Sequence, residues 1–341
     1  MATYFDDSRL DDPAVLAGAD VRLRYLAEAG ARVRREASDA AEATAEAIEA
    51  SRDARPRAVI AAGPDSRLLR AVLEPWCPVP FVAWPGPALP GWAGSLDLVV
   101  VLAPERSDPA AASAVAEAVR RGCQVVVACP PGSMVAEHAQ GRWTTVLPTA
   151  TGDQLATAVV MLDFLHRIEL GPATEAEEVA RALDDVAISC SPHSDMAVNP
   201  AKMLAIALAD ANPLLWGGSV LAARAARRVA EQIRRASGRT ALAGDAEHLL
   251  PVIEATKPRN VFDDPFEEAG ERRPVLLILD DGAEDPAVRE QRGQLQAAAA
   301  ASGVRVENVG TEASSEVARY ASLLLIGTYA AEYLRLGTTD G

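Results

Sequence analysis

The chain has 341 residues, of which 49% are apolar but only 4% aromatic, so two domains with cores of Ala, Val, Leu and Ile are expected. Its formal net charge of -15 disfavours nucleic acid and anionic membranes as partners, because both would repel the chain. The acidic N-terminus lacks an apolar leader and the apolar runs are short, which predicts a cytoplasmic protein without a membrane span.

The first half of the chain predicts helices followed by strands that alternate with helices. Asp12-Pro13 is typical of a helix start, and residues 13–51 predict one long helix or two shorter ones. Short apolar strands then alternate with helices, which indicates βαβ units and a parallel sheet. The predicted strands cover residues 58–62, 79–84, 98–102, 124–128 and 144–147, and a further helix covers 172–187.

The second half repeats this order after a non-periodic linker at 189–200. Its predicted strands cover 213–216, 240–243, 275–279 and 304–309, and a final helix covers 315–336. We therefore expect an α/β fold of two doubly wound parallel-sheet subdomains, flavodoxin-like or Rossmann-like, with an N-terminal helical extension. The expected boundaries are 1–52 for the helices, 53–188 for the first domain and 199–341 for the second.

Several catalytic and cofactor-binding patterns are missing from the sequence. It has no P-loop, no GxGxxG and no GxSxG, which argues against NTPase, dinucleotide-binding and serine hydrolase functions. The histidines at 138, 166 and 193 have no second histidine three or four positions away, so we expect no metal and no cofactor. Asp280-Asp281-Gly282 resembles a magnesium-binding corner but is more typical of a strand-terminal turn. The four cysteines form no CxxC pair and are expected to be reduced thiols.

Three stretches in chain order resemble one known family. Residues 79–104, VPFVAWPGPALPGWAGSLDLVVVLAP, are similar to a strand, a Pro-rich loop ending in L-P-x-W and a second strand. Residues 199–208, NPAKMLAIAL, are similar to an N-P-A-K-x-L-A segment, and residues 323–337, LLLIGTYAAEYLRLG, to a closing helix. The ordered set, within residues 57–337, resembles the bifunctional phosphoglucose/phosphomannose isomerases, which are built from sugar-isomerase (SIS) domains.

The resemblance implies two SIS-type domains and a homodimer whose cleft binds a glucose- or mannose-type 6-phosphate. The family binds phosphate through S-x-S-G-N-T after the third strand, where hydroxyls and free N–H groups hold a dianion. Here that loop is APERSD at 103–108, so both serines and the threonine of the family are replaced and Ser107 is the one hydroxyl that the loop still carries. Glu105 and Asp108 place carboxylates where a dianion would bind, and Asp108 also suits the N-cap of the following helix.

Further positions of the family differ in this chain. The glycine turn G-M-G-G-S aligns with residues 62–66, of which Ser66 is retained. The general base falls on Arg235 and the ring-opening histidine near Pro251. The closest histidine is His248, which leaves Glu247-His248 as a displaced acid/base pair or as an exposed pair on a helix.

The second domain offers one more candidate anion site. Gly217-Gly218-Ser219 follows an apolar strand and opens a helix, so its free N–H groups point to the carboxyl edge of the sheet. It is either a sugar or sugar-phosphate contact or a tight turn with Ser219 as N-cap. The candidate sugar- or phosphate-binding residues are Ser66, Ser107, Gly217, Gly218 and Ser219, and the candidate catalytic residues are Glu247 and His248.

Two functions stay open on these residues. The first is an aldose–ketose isomerase acting on glucose or mannose 6-phosphate with relocated catalytic groups. The second is a catalytically degenerate SIS protein that senses a carbohydrate derivative or acts as the partner subunit of an active isomerase. A transcription regulator is disfavoured, because the chain is acidic and has no basic helix-turn-helix segment.

Overall fold

The computed structural model describes residues 3–51, 55–256 and 272–340. The N-terminal elements are β1 (Thr3–Phe5), a 3₁₀-helix (Asp7–Leu10), α1 (Pro13–Ala27), α2 (Ala29–Asp39) and α3 (Ala41–Ser51). Next come β2 (Val59–Ala62), α4 (Ser66–Leu73), β3 (Phe81–Trp84), β4 (Leu98–Leu102), α5 (Pro109–Arg120), β5 (Gln124–Cys129), α6 (Met134–His138), β6 (Thr144–Pro148), α7 (Gln154–Arg167) and α8 (Ala176–Ser189). The remaining elements are α9 (Pro200–Leu208), β7 (Ala211–Gly217), α10 (Val220–Ser237), β8 (Leu242–Ala243), α11 (Ala246–Glu254), β9 (Arg273–Asp280), α12 (Pro286–Ala301), β10 (Arg305–Gly310), α13 (Glu316–Gly337) and β11 (Thr338–Asp340).

The chain divides into two compact units. The first unit is Ala29–Arg181, and the second unit joins Met1–Glu28 to Ala182–Gly341. Helix α1 thus belongs with the C-terminal half of the chain, whereas α2 and α3 belong with the first sheet. The domain boundaries expected from the sequence stay a prediction beside this division.

The first unit contains a five-stranded parallel sheet in the order β3-β2-β4-β5-β6. Each residue of β4, LVVVL, is buried, as expected for a central strand that helices cover on both faces. Val99, Val101, Val125 and Val127 share one core cluster with alanines of α5, whose small side chains let the helix approach the sheet closely.

The second unit contains a four-stranded parallel sheet in the order β10-β9-β7-β8. Helix α13 is buried along most of its length, and Gly327 lets it pack directly against Val229 of α10. A separate antiparallel pair joins β1 to β11, with Tyr4 opposite Thr339. The expected fold class, two doubly wound parallel-sheet subdomains with N-terminal helices, is confirmed.

The observed elements differ from the sequence-based prediction in a few places. Residues 13–51 form three helices, and Asp12 caps the first by accepting a hydrogen bond from the Ala14 N–H at 2.8 Å. The pairing of β1 with β11 was not predicted, since three-residue strands carry no measurable periodicity. The polar loop predicted at 258–273 lies outside the described residues except for its last two positions.

Candidate functional site

Ligands of open parallel sheets bind beyond the carboxyl ends of the strands, so this edge of each unit is where a site is expected. In the first unit, the loop after β4 carries Glu105, Arg106 and Ser107 as exposed residues. Asp108 caps α5 by accepting a hydrogen bond from the Ala111 N–H at 2.9 Å. The predicted N-cap is confirmed, and its carboxylate occupies the N-terminus of α5, where free N–H groups favour an anion.

Ser66 begins α4, immediately after the turn that ends β2. Its side chain is buried, and its Oγ has no hydrogen-bond partner among the described residues. The preceding residue, Asp65, accepts a hydrogen bond from Nε2 of Gln154 at the start of α7. The structure therefore brings the starts of α4 and α7 together at the carboxyl edge, with a carboxylate between them.

The loop between β6 and α7 holds a second carboxylate that sequence reasoning missed. Glu36 of α2 is fully buried, and its carboxylate accepts the N–H of Ala150 at 2.8 Å and both the N–H and the hydroxyl of Thr151 at 2.5 Å. Arg32, one helical turn earlier, pairs with Asp153 at 2.8 Å, and Asp153 caps α7. The carboxylate of Glu36 thus takes the place that an external anion could occupy beside these backbone N–H groups.

In the second unit, Gly217 ends β7 and Ser219 caps α10, accepting a hydrogen bond from the Ala222 N–H at 3.0 Å. A side chain at Gly217 would clash with the backbone of Ala222, and one at Gly218 would clash with Val288 and with the ring of Trp216. Close packing of α10 therefore accounts for Gly217, and close packing of α12 and of the Trp216 ring accounts for Gly218. The N-cap interpretation of Ser219 is confirmed.

The acidic turn after β9 meets this helix start. The hydroxyl of Ser219 donates a hydrogen bond to Asp281 Oδ2, and Asp281 Oδ1 accepts the N–H of Ala283 at 3.3 Å. Asp280 forms a bidentate pair with Arg292, with both N–O distances at 2.7 Å. Both acids are thus engaged by protein groups, and the described residues contain no cluster of three His, Cys, Asp or Glu side chains that could hold a metal ion.

Glu247 and His248 lie in the first turn of α11. Glu247 Oε1 and His248 Nδ1 are 3.8 Å apart, and both side chains are largely exposed to solvent. The structure thus brings the predicted pair together, on the surface of the second unit. Arg235, which stands at the position of the family's base, forms an ion pair with Glu231 at 2.5 Å on α10.

Lys202 of the NPAK segment is not part of the carboxyl edges of the two sheets. Its side chain is completely buried, and its ammonium group donates hydrogen bonds to Asp11 Oδ1 at 2.6 Å and to the carbonyl oxygens of Pro192 at 2.8 Å and Ser194 at 3.1 Å. The ring of Tyr333 lies 5.7 Å from the same ammonium. This lysine fixes the predicted linker to the second unit and contributes to stability.

The second half of the chain matches a family model. Residues 197–338 match the bacterial phospho-glucose isomerase C-terminal SIS domain. This half of the chain therefore resembles a SIS domain. Among the curated proteins compared, none matches this chain.

Solved SIS-type structures share the fold over most of the chain. Tagatose-6-phosphate ketose/aldose isomerase from Escherichia coli has 13% identity and a TM-score of 0.67, with 92% of each chain covered. A glucose-6-phosphate isomerase like protein from Thermus thermophilus has 18% identity and a TM-score of 0.50, covering 83% of this chain and 82% of its own. The C-terminal domain of glucosamine-fructose-6-phosphate aminotransferase from Francisella tularensis has 11% identity and a TM-score of 0.57, covering 90% of this chain and 97% of its own.

The family match confirms the resemblance of residues 197–338 to a sugar-isomerase domain, and the solved structures show that the chain shares their fold. Within the described residues no helix is both long and apolar enough to cross a membrane. Carboxylates of the chain stand at two helix starts, because Asp108 caps α5 and Asp281 accepts the hydroxyl of Ser219 at the start of α10. Burial also raises the pKa of the Cys129 thiol at the end of β5, which keeps a thiol rather than a thiolate at that edge.

Proposed function

We propose that this chain is a SIS-domain protein that binds a carbohydrate derivative lacking a phosphate dianion, and that it acts as a sensor or partner subunit rather than as an isomerase. The observation that carries the proposal is the hydrogen bond from Ser219 to the carboxylate of Asp281 at the start of α10. A carboxylate at a helix N-terminus occupies the favourable field that a phosphate would use, and it repels a dianion.

The first unit supports the same ligand chemistry. Asp108 caps α5 in the loop that corresponds to the family's phosphate loop, and Glu105 stands exposed in that loop. Carboxylates accept hydrogen bonds from sugar hydroxyls and pair with ammonium groups, so these edges suit a neutral sugar or an amino sugar.

The alternative is an isomerase acting on glucose or mannose 6-phosphate. The proximity of Glu247 and His248 favours it, because aldose–ketose isomerisation needs a base near C1 and C2 and a group that opens the ring. Their exposure disfavours it, since proton abstraction next to a carbonyl is helped by a site that excludes water.

The deciding experiment measures the melting temperature of the protein with three ligands in turn, which are free glucose, free glucosamine and fructose 6-phosphate. A turnover assay on glucose 6-phosphate and on mannose 6-phosphate accompanies it. A ligand at 100 times its dissociation constant adds about 2.7 kcal/mol, and each kcal/mol raises the melting temperature of domains this size by about 2–4 °C. We expect a shift with a phosphate-free sugar and neither shift nor turnover with the phosphates.

Turnover of a hexose 6-phosphate that is lost in His248→Ala would establish the isomerase alternative and overturn the proposal. A shift with fructose 6-phosphate alone would overturn the proposed ligand chemistry. The absence of a shift with every sugar would overturn the binding role itself.

A further inference from the structure

Three helices of the second unit enclose a pocket of about 450 Å³, which we call the helical pocket. It is lined by the second half of α1, the last turns of α10 and the C-terminal half of α13. Pockets that bind small molecules usually measure roughly 300–1,000 Å³, so the helical pocket has the size for such a ligand. Arg235 in its wall lies about 24 Å along α10 from Ser219, which caps the start of that helix. The pocket is therefore separate from the carboxyl edge of the second sheet.

The charged side chains of the helical pocket carry an excess of positive charge. Three of them are arginines, Arg22, Arg235 and Arg335, and the fourth is Glu332. The whole chain has 48 acidic residues against 33 Lys and Arg, and a formal net charge of -15. A concave surface with the opposite sign of charge concentrates anions against this background. The helical pocket is thus suited to an anionic ligand.

Glu332 holds two of these arginines side by side. Its side chain is 8% exposed, and its carboxylate accepts hydrogen bonds from Arg22 Nε at 2.7 Å and from the guanidinium of Arg335. A guanidinium carries five N–H donors, so both arginines retain donors for a further acceptor. The Nε atom of Arg335 is buried and has no hydrogen-bond partner among the described residues. An oxygen acceptor from a ligand would complete the hydrogen bonding of this pair.

The third arginine of the helical pocket shares its carboxylate with another cation. Arg235 pairs with Glu231 at 2.5 Å, and the same carboxyl group pairs with Arg228 at 2.7 Å. The Arg235 side chain is 66% exposed, so it can turn towards a ligand with little loss of packing. Because the guanidiniums repel one another, an anion that enters between them is stabilised by more than one cation.

The remaining wall of the helical pocket is mostly apolar. Val21 is 81% exposed and Tyr25 is 49% exposed, and both line the pocket together with Leu26, Ala236 and Ala331. Arginine binds a carboxylate in a planar, bidentate fashion, whereas aliphatic and aromatic side chains cover an apolar group. The helical pocket thus suits a ligand with an anionic head and an apolar body.

We propose that the helical pocket binds a small organic carboxylate whose body is aromatic or aliphatic. A carboxylate is favoured over a phosphate ester, because the charge of Glu332 repels a dianion about twice as strongly as a monoanion. The site is additional to the proposed sugar site and does not depend on it, since the two have different residues and different ligands.

Equilibrium dialysis of the full chain with fluorescent naphthyl probes tests this site. The first probe, 1-naphthylacetate, has both parts of the proposed ligand. Its alcohol, 2-(1-naphthyl)ethanol, lacks the charge, acetate lacks the apolar body, and 1-naphthyl phosphate carries a dianion. We expect 1-naphthylacetate to bind with a dissociation constant of about 0.1 mM, which is ordinary for a ligand of this size. Each of the other three probes should bind at least about ten-fold more weakly.

Two variants and a matched control place the bound probe in the helical pocket. Arg235→Gln should weaken 1-naphthylacetate about ten-fold and leave the naphthyl alcohol unchanged, whereas Val21→Ser should weaken both about three-fold. The control is Arg227→Gln, which removes the same charge from α10 at a 63% exposed side chain outside the pocket. It should change affinity by less than about two-fold. Equal melting temperatures would show that the three variants are folded.

Several results would overturn the site. One is the absence of saturable binding of 1-naphthylacetate up to about 5 mM. Others are an equal loss in Arg227→Gln, which would reduce the effect to net charge, and tighter binding of 1-naphthyl phosphate than of the carboxylate. Binding that Arg235→Gln and Val21→Ser leave unchanged would place the probe elsewhere on the chain. A shift of the melting temperature with free sugar should persist in Arg235→Gln, so the failure of one proposal is distinguishable from that of the other.

Discussion

The ammonium group of Lys202 lies 2.6 Å from the carboxylate of Asp11, although the two residues are 191 positions apart in the chain. Lys202 is fully buried, whereas the Asp11 side chain is half exposed. The pair joins the segment before α1 to the start of α9, and two linker carbonyls complete the shell of the ammonium group. Removing some of these acceptors would leave a buried charge without full compensation and would lower the free energy of unfolding.

Replacing Lys202 should therefore destabilise the chain more than replacing Asp11. We expect Lys202→Ala to lower the free energy of unfolding by about 3–5 kcal/mol, because it leaves a cavity and unpaired carbonyls. Asp11→Ala should cost about 1.5–3 kcal/mol, since the ammonium keeps two acceptors. Urea unfolding measures both, with Met203→Ala, an exposed neighbour on α9, as a control near zero. Equal effects of the two substitutions would contradict this account.

Gly327 should tolerate no side chain, because a Cβ there would clash with the side chain of Val229 on α10. Gly327→Ala is expected to lower the free energy of unfolding by about 1–3 kcal/mol. Gly293→Ala on α12 has open space around it and should be neutral or stabilising by up to about 1 kcal/mol. Thermal unfolding of the two variants compares close helix packing with helix propensity. A stabilised Gly327→Ala variant would rule out the clash.

Glu36 should stabilise the fold through its hydrogen bonds to the loop between β6 and α7. Glu36→Ala leaves the N–H groups of Ala150 and Thr151 without this acceptor, at an expected cost of about 2–3 kcal/mol. Glu46→Ala, on the exposed side of α3, is the matched control and should change stability by less than about 0.5 kcal/mol. Hydrogen exchange should locate the difference at residues 150 and 151. Unchanged protection there would contradict the proposed contact.

Stability should fall in alkaline solution through Cys190. Burial raises the pKa of its thiol to about 11. The thiol of the unfolded chain ionises near pH 8.5, whereas the native one stays neutral at that pH. The contribution of Cys190 to the free energy of unfolding is therefore fully present below about pH 8.5. Between that pH and about 11 the free energy of unfolding should decline by up to about 1.4 kcal/mol per pH unit. Urea unfolding at several pH values should show a shallower decline for Cys190→Ala, and parallel curves would refute the assignment.

Asp281→Asn should make the start of α10 more receptive to anions. The amide oxygen can still accept the hydroxyl of Ser219, but the negative charge at the helix N-terminus is removed. We expect affinity for inorganic phosphate to rise roughly ten-fold, measured by calorimetry at low salt. Glu284→Gln, an exposed acid in the same loop, is the control for net charge alone. A control that gained as much affinity would show that the position of Asp281 has no special effect.

The fold was predictable from the sequence because its determinants are local. The runs at 98–102 and 124–128 are too apolar for half-exposed strands, and capping residues such as Asp12, Asp108 and Ser219 stand next to the helices that they start. What could not be predicted depends on distant pairs. The contact of Ser219 with Asp281 spans 62 positions, and that of Glu36 with Ala150 spans 114.

The same limit applies to the candidate site residues. The sequence placed Glu247 beside His248, which is a consequence of adjacency, but it could not show that both side chains point to solvent. It left Gly217 and Gly218 open as an anion site or as a tight turn, whereas the packing of Ala222, Val288 and Trp216 gives each glycine a steric reason. NPAK was noted as a resemblance, yet the partner of its lysine, Asp11, lies 191 positions earlier in the chain.

The second unit is assembled from two separate segments of the chain, and this has a consequence for synthesis on the ribosome. Residues 1–28 are synthesised before the first unit, whereas their partners follow it: β1 pairs with β11, and Arg22 of α1 pairs with Glu332 of α13 at 2.7 Å. Residues 29–181 can complete their own sheet while the ribosome is still translating the C-terminal part of the second unit. Helix α1, with Val21 and Tyr25 exposed even in the folded chain, must wait until α13 has been translated for its binding surface. A nascent chain stalled before α13 is therefore where a chaperone would be needed most.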